Sequence, residues 1–142
     1  MIVVDDQHLF ALITETESAE LSAIAAGGVA TTGAWFCRLS RAVHLGDGRG
    51  ILSRGFAELS DGAGELVLAR LSELPSGIQI IPQRRLVPAM VAIGGIRTAN
   101  ILTLEAVATA VLLNAPIFVS TQSTLLNEVA VALHVDVRVA GV

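Results

Sequence analysis

Lysine is absent from this chain, and all nine basic residues are arginine. The glycine-rich run Gly46–Gly50 (G-D-G-R-G) therefore lacks the lysine of a phosphate-binding P-loop, and it follows a helix rather than a strand. It reads as a turn. Cysteine is almost absent: Cys37 stands alone, so no intramolecular disulfide can form, and a reducing cytoplasm is the expected setting. Its apolar helical context, A-W-F-C-R-L, predicts a core residue rather than a catalytic thiol. Charge is scarce as well, at 15% of residues with a net of −4. That balance argues against a generally basic nucleic-acid binder. It also predicts that some apolar surface is covered by a second copy, a homodimer. The opening residues carry two acids where a secretory leader has its basic stretch, so no leader is expected. The span Ala106–Asn127 has no charge over a membrane-spanning length. Asn114, Pro116 and Ser120–Ser123 interrupt it, however, and it reads as helix, turn, strand and helix. His8, His44 and His134 fall in no zinc-ligand spacing, and neither a G-x-S-x-G elbow nor a G-x-G-x-x-G loop after the first strand occurs.

What the chain does have is apolar sequence, 53% of 142 residues, enough for the core of one domain over 1–142. Met1–Asp6 (M-I-V-V-D-D) is an apolar run that stops abruptly at two acids, as a buried strand of a parallel sheet does. Leu9–Ile13 then has the spacing of a short helix. An acidic connection follows, with Glu15, Glu17 and Glu20, punctuated by Gly27–Gly28. Thr32 is placed to cap a helix over Ala34–Val43, with Trp35 and Leu39 inward and Arg38 and Arg41 together on one face. Helical stretches follow over Ile51–Leu59 and Gly64–Leu74, then a strand at Ile78–Ile81. A helix around Pro88–Ile93 has Pro88 at its first position and Gly94–Gly95 at its close. Thr103 is the expected cap of a helix over Leu104–Leu113. The remainder reads as a strand at Ile117–Ser120, a helix over Ser123–Leu133 and an edge strand at Val135–Val139. Strands alternating with helices predict an α/β fold, a three-layer α/β/α sandwich with a mainly parallel central sheet.

In such sheets ligands bind beyond the carboxyl ends of the strands, which directs attention to Asp5 and Asp6. Either can cap the first helix, and Asp is a favoured capping residue. Glu105, in the apolar run L-T-L-E-A-V-A-T-A, is the other conspicuous acid, because an unpaired buried charge is costly. Two acids meeting at the sheet edge would suit Mg²⁺ or Mn²⁺, hard cations that prefer oxygen ligands.

Three stretches together resemble the PIN-domain family, the nuclease fold of VapC-like toxins. V-V-D-D at Val3–Asp6 is similar to the family's opening strand with its first metal-binding acid, which corresponds to Asp5. L-T-L-E-A-V-A-T-A at Leu102–Ala110 resembles its late acidic helix, with Glu105 where an acid is expected. A-P-I-F-V-S-T-Q-S-T-L-L at Ala115–Leu126 resembles its final core strand, with Gln122 in place of the last acid. The early helical region, Thr31–Val43, contains no acid where the family has its second. The resemblance implies a metal-dependent ribonuclease with Asp5 and Glu105 as catalytic residues and Asp5, Glu105, Asp6 and Gln122 around Mg²⁺ or Mn²⁺. It implies an RNA substrate steered by Arg38, Arg41, Arg84, Arg85 or Arg97, and an antitoxin partner. The depleted acid set implies the alternative, a PIN-like domain that has lost catalysis and serves as a binding or scaffolding module.

Overall fold

The computed structural model describes residues 1–46 and 48–141, so Asp47 of the Gly46–Gly50 turn lies outside the described residues. Five strands form one sheet: β1 (Ile2–Val4), β2 (Val29–Thr31), β3 (Ile78–Ile80), β4 (Ile117–Val119) and β5 (Val137–Val139). The order across the sheet is β3-β2-β1-β4-β5, and every neighbouring pair is parallel. Ile2 registers with Val29 and Val3 with Ile117. All three β1 residues are buried, as the central strand of a sheet covered on both faces requires. β3 and β5 are the edges.

Helices cover both faces. Strand side chains alternate, so Val3, Ile117 and Val119 face one core while Ile2, Val4 and Phe118 face the other. The first core is closed by α6 (Gln83–Ile96), α7 (Ile101–Leu113) and α8 (Thr124–Ala132), through residues such as Leu86, Val107 and Leu126. The second is closed by α1 (Asp6–Thr14), α2 (Ala19–Ala25), α4 (Ile51–Ala57) and α5 (Asp61–Ser72), through Leu9, Leu21 and Val67. The helix α3 (Gly33–Leu45) reaches both, with Trp35 in the first core and Leu39 and Val43 in the second. This is the three-layer α/β/α sandwich expected. Its central helix, α7, is buried continuously from Glu105 to Ala110, and the small side chains of Ala106, Ala108 and Ala110 let it pack closely on its neighbours.

Several local expectations are corrected. The acidic connection contains α2, and V-A-T after the glycine pair is β2. Pro88 is not at a helix start, and Gly94–Gly95 does not end the helix: α6 runs from Gln83 through all three. Leu86, Met90 and Ile93 are buried at helical spacing, and their packing outweighs the local breakers. Arg84 and Pro88 are both exposed, so the carbonyl that loses its helical partner faces water. Asn100 rather than Thr103 caps α7, its side chain accepting from Thr103 N at 2.9 Å. Cys37 is exposed, because the inward stripe of α3 runs through Trp35, Leu39 and Val43 and leaves position 37 on the far side. Among the described residues no single helix is long and apolar enough to cross a membrane. Only α6 and α7 together reach that length, and they are bent by 116°.

Candidate functional site

The chain steps from β1 to β2 to β3 in one direction and then returns to β4 on the other side of β1. The carboxyl ends of β1 and β4 therefore flank the point where the connections diverge, the position at which open α/β sheets form a ligand crevice. A cavity of about 370 Å³ lies there, lined by Asp5, Asp6, Arg38, Ser120, Gln122 and Trp35 among others. A second, of about 480 Å³, has Arg38, Arg41 and Arg49 in its wall. Asp6, Gln7 and Arg38 line both.

Asp5 stands immediately after β1 and caps α1, as its short acceptor side chain allows. Its carboxylate is fully engaged by the protein. Oδ1 accepts from His8 N at 2.9 Å and faces His8 Nδ1 at 2.8 Å. Oδ2 accepts from Ser120 N at 2.6 Å and from Ser120 Oγ at 2.7 Å. Burial by itself would raise the pKa of this carboxyl, but the hydrogen bonds from His8 and Ser120 outweigh it and hold the group below the usual carboxylate range. His8 is completely buried, and its Nε2 lies 3.1 Å from the Ala140 carbonyl. The ring therefore bridges the carboxylate after β1 and the backbone after β5. Asp5, His8 and Ser120 thus form a clamp that ties the start of α1 to the end of β4 and to the residue after β5. Ser120 and His8 bind the carboxylate from opposite sides, so this is not the Ser–His contact of a hydrolase triad.

Asp6 begins α1 with 3% exposure. Arg38 Nε lies 3.1 Å from its Oδ2, but without the alignment of a hydrogen bond, so that buried oxygen has no hydrogen-bond partner among the described residues. Burial pushes the Asp6 carboxyl up, Arg38 pulls it partly back and the Asp5 charge pushes it further, leaving it above the usual range. A carboxyl raised by folding costs stability once it ionises. The cost is absent below the unfolded pKa of about 4 and grows as pH rises through the folded value. Asp6→Asn should therefore raise the melting temperature at pH 7 by about 2–4 °C, the scale of 1 kcal/mol in a domain this size. The gain should shrink as pH is lowered toward 4. Melting curves of both proteins across that range check this, and equal gains at all pH values would contradict it.

Glu105 lies elsewhere. Its side chain is 2% exposed and lines neither cavity. α7 begins at Ile101, so Glu105 is in the second turn, not the first as the sequence suggested. Its Oε2 accepts from Ala34 N at 2.8 Å, and a Cβ placed at Gly33 would come within 3.4 Å of Oε1. Glu105 therefore meets the N-terminus of α3, where a carboxylate complements orphan amides and the helix dipole. Thr32 caps the same terminus, as expected, through Trp35 N at 3.1 Å.

Of the residues singled out by sequence, Asp5, Asp6, Gln122 and Arg38 line the inner cavity, and Arg38 and Arg41 line the outer one. Arg84 and Arg85 are exposed in the first turn of α6, and Arg97 pairs with Glu128; none of these three lines either cavity. His8 and Ser120 escaped the sequence reading. The available signal was Asp5-x-x-His8 at a helix start, where the capping residue and the residue three positions on share a turn. Among the described residues no group of three or more His, Cys, Asp and Glu side chains is placed to hold a metal ion. Compared with known proteins, the chain matches no family model and no curated protein sequence.

Proposed function

We infer that this chain is a PIN-like binding module whose inherited acidic position now does structural work. The observation that carries this reading is the Asp5 carboxylate, whose two oxygens already meet four donor atoms of His8 and Ser120. A divalent cation would have to displace those donors. Asp6 is compensated by Arg38, whose positive charge opposes a cation, and Glu105 is committed to α3. Gln122 brings no charge. This donor set does not fit Mg²⁺ or Mn²⁺, which are held by ionised carboxylates with free lone pairs.

The ribonuclease reading, with an antitoxin as partner, has one observation in its favour: Asp5, Asp6 and Gln122 do converge on the crevice at the sheet's switch point. Incubation with single-stranded and structured RNA in Mn²⁺, Mg²⁺ or EDTA, beside an Asp5→Asn control, separates the two. The binding-module reading expects no metal-dependent cleavage. Cleavage that needs metal and is lost in Asp5→Asn would establish the nuclease instead.

A homodimer belongs to the same reading. It is supported by the exposed Val87 and Val91 of α6, which lie one turn apart on the same side of the helix. Sedimentation at micromolar concentration should give a dimer, and Val91→Glu should give a monomer. A wild-type monomer would remove the dimer from the account.

A further inference from the structure

The two cavities at the strand ends lie side by side with Asp6, Gln7 and Arg38 in the walls of both, the two chambers of a trough. Its chemistry changes from one end to the other. The inner chamber sets the apolar walls of Trp35, Leu102 and Leu126 against the polar side chains of Thr121 and Gln122. The outer chamber carries arginines. Arg38 and Arg41 are three residues apart on α3, so both project onto the same side. Arg38 directs its Nε at Asp6, and its two Nη groups meet no partner among the described residues. Arg41 is exposed and makes no ion pair among the described residues. Asp6 offsets one of these two charges, so among the described residues Arg38 and Arg41 together keep a positive excess at the outer chamber. Guanidinium forks match the oxygens of a phosphate group. A slot with apolar walls and an amide at its edge suits a planar heterocycle, which needs burial of its faces and hydrogen bonds at its rim. The trough lies at the topological switch point, where parallel sheets bind such ligands.

We propose that the trough binds a nucleoside monophosphate, with its phosphate on Arg38 and Arg41 and its base in the inner chamber beside Trp35 and Gln122. The assignment rests on the binding-module reading, and it requires no metal.

Calorimetric titration of the full chain in EDTA tests it, with a purine nucleoside monophosphate, the corresponding nucleoside and orthophosphate as separate probes. The nucleotide should bind about tenfold or more tightly than either fragment, because the two chambers act together. Arg41→Ala should weaken the nucleotide and orthophosphate by about tenfold, the scale of one charge-assisted contact, and leave the nucleoside unchanged. Gln122→Ala should weaken the nucleotide and not orthophosphate. Arg138→Ala removes the same charge at the far edge of the sheet and should change nothing. The assignment is overturned if the nucleotide gives no binding at millimolar concentration. It is overturned equally if Arg41→Ala and Arg138→Ala weaken it alike, which would mean diffuse attraction. Binding of a single-stranded RNA oligomer with none of the mononucleotide would also overturn it. Because the titrations exclude metal, metal-dependent RNA cleavage would defeat the binding-module reading without touching this result, and absent nucleotide binding would leave that reading standing.

Discussion

Asp5→Asn should cost this protein about 3–5 kcal/mol, or about 10–20 °C in melting temperature. The substitution keeps one carbonyl oxygen and replaces the other with an amide nitrogen. If the retained oxygen faces His8, the new NH₂ meets the Ser120 N–H, donor against donor. If the amide turns round, the clash moves to His8. Either way a buried donor loses its acceptor, and the partners affected are buried, His8 with no exposure at all. Breaking a buried, hydrogen-bonded carboxylate site is expensive because the donors left behind stay buried. A metal-binding acid behaves in the opposite way. Neutralising it relieves repulsion among clustered carboxylates, and the metal-free protein is commonly as stable or more so. The same clamp sets the acid limb of the stability curve. Asp5 is depressed by folding, so its contribution is complete above the unfolded carboxylate pKa of about 4 and is lost as pH falls through the lower folded value. Wild type should therefore destabilise steeply in acid, and Asp5→Asn should have a flatter acid limb. Thermal melts from neutral pH downward read both effects. An unchanged melting temperature in Asp5→Asn would remove the structural role.

Glu105 carries the second large effect, and a pair of variants isolates it. Glu105→Ala deletes a side chain that is 2% exposed, leaves Ala34 N unpartnered and opens a void between α7 and α3. The expected loss is about 3–4 kcal/mol, combining a lost buried hydrogen bond with a large-to-small cavity. Glu105→Gln keeps an acceptor oxygen for Ala34 N and nearly the same volume. It loses only the charge at the α3 N-terminus, about 0.5–1 kcal/mol. Denaturant unfolding of the two variants should therefore separate them by about 2 kcal/mol or more. Equal losses would mean that charge, and not the Ala34 hydrogen bond, is what position 105 supplies.

These two acids also mark how far the sequence could be read. The architecture was legible wherever apolar residues ran in long or regular patterns: β1 and β4 as buried runs ending at polar residues, α3 and α7 as helices. It was illegible where tertiary packing overrides local preference. β2 is three residues, V-A-T, behind a glycine pair, and only its pairing with β1 and β3 makes it a strand. α6 passes through Pro88 and two glycines because Leu86, Met90 and Ile93 pack against the first core. Cys37 reads as apolar by its neighbours, but the helical period turns it outward. For the site, Asp5 and the crevice beside it follow from strand-end logic alone. Their partners do not. Ser120 reaches Asp5 across 115 residues and Glu105 reaches Ala34 across 71, and no local pattern announces either contact. The sequence could point to acids at the right strand and helix; only the fold shows what each acid is already bonded to.

Titrating the wild-type melting temperature with Mn²⁺ shows whether the Asp5 carboxylate is still open to a cation. A cation bound to the native state raises the melting temperature by mass action, by about 2.7 kcal/mol of added stability at a hundred times its dissociation constant. With Asp5 saturated by His8 and Ser120, no saturable rise is expected up to millimolar Mn²⁺. A saturable rise that disappears in Asp5→Asn would contradict this and return the carboxylate to metal chemistry.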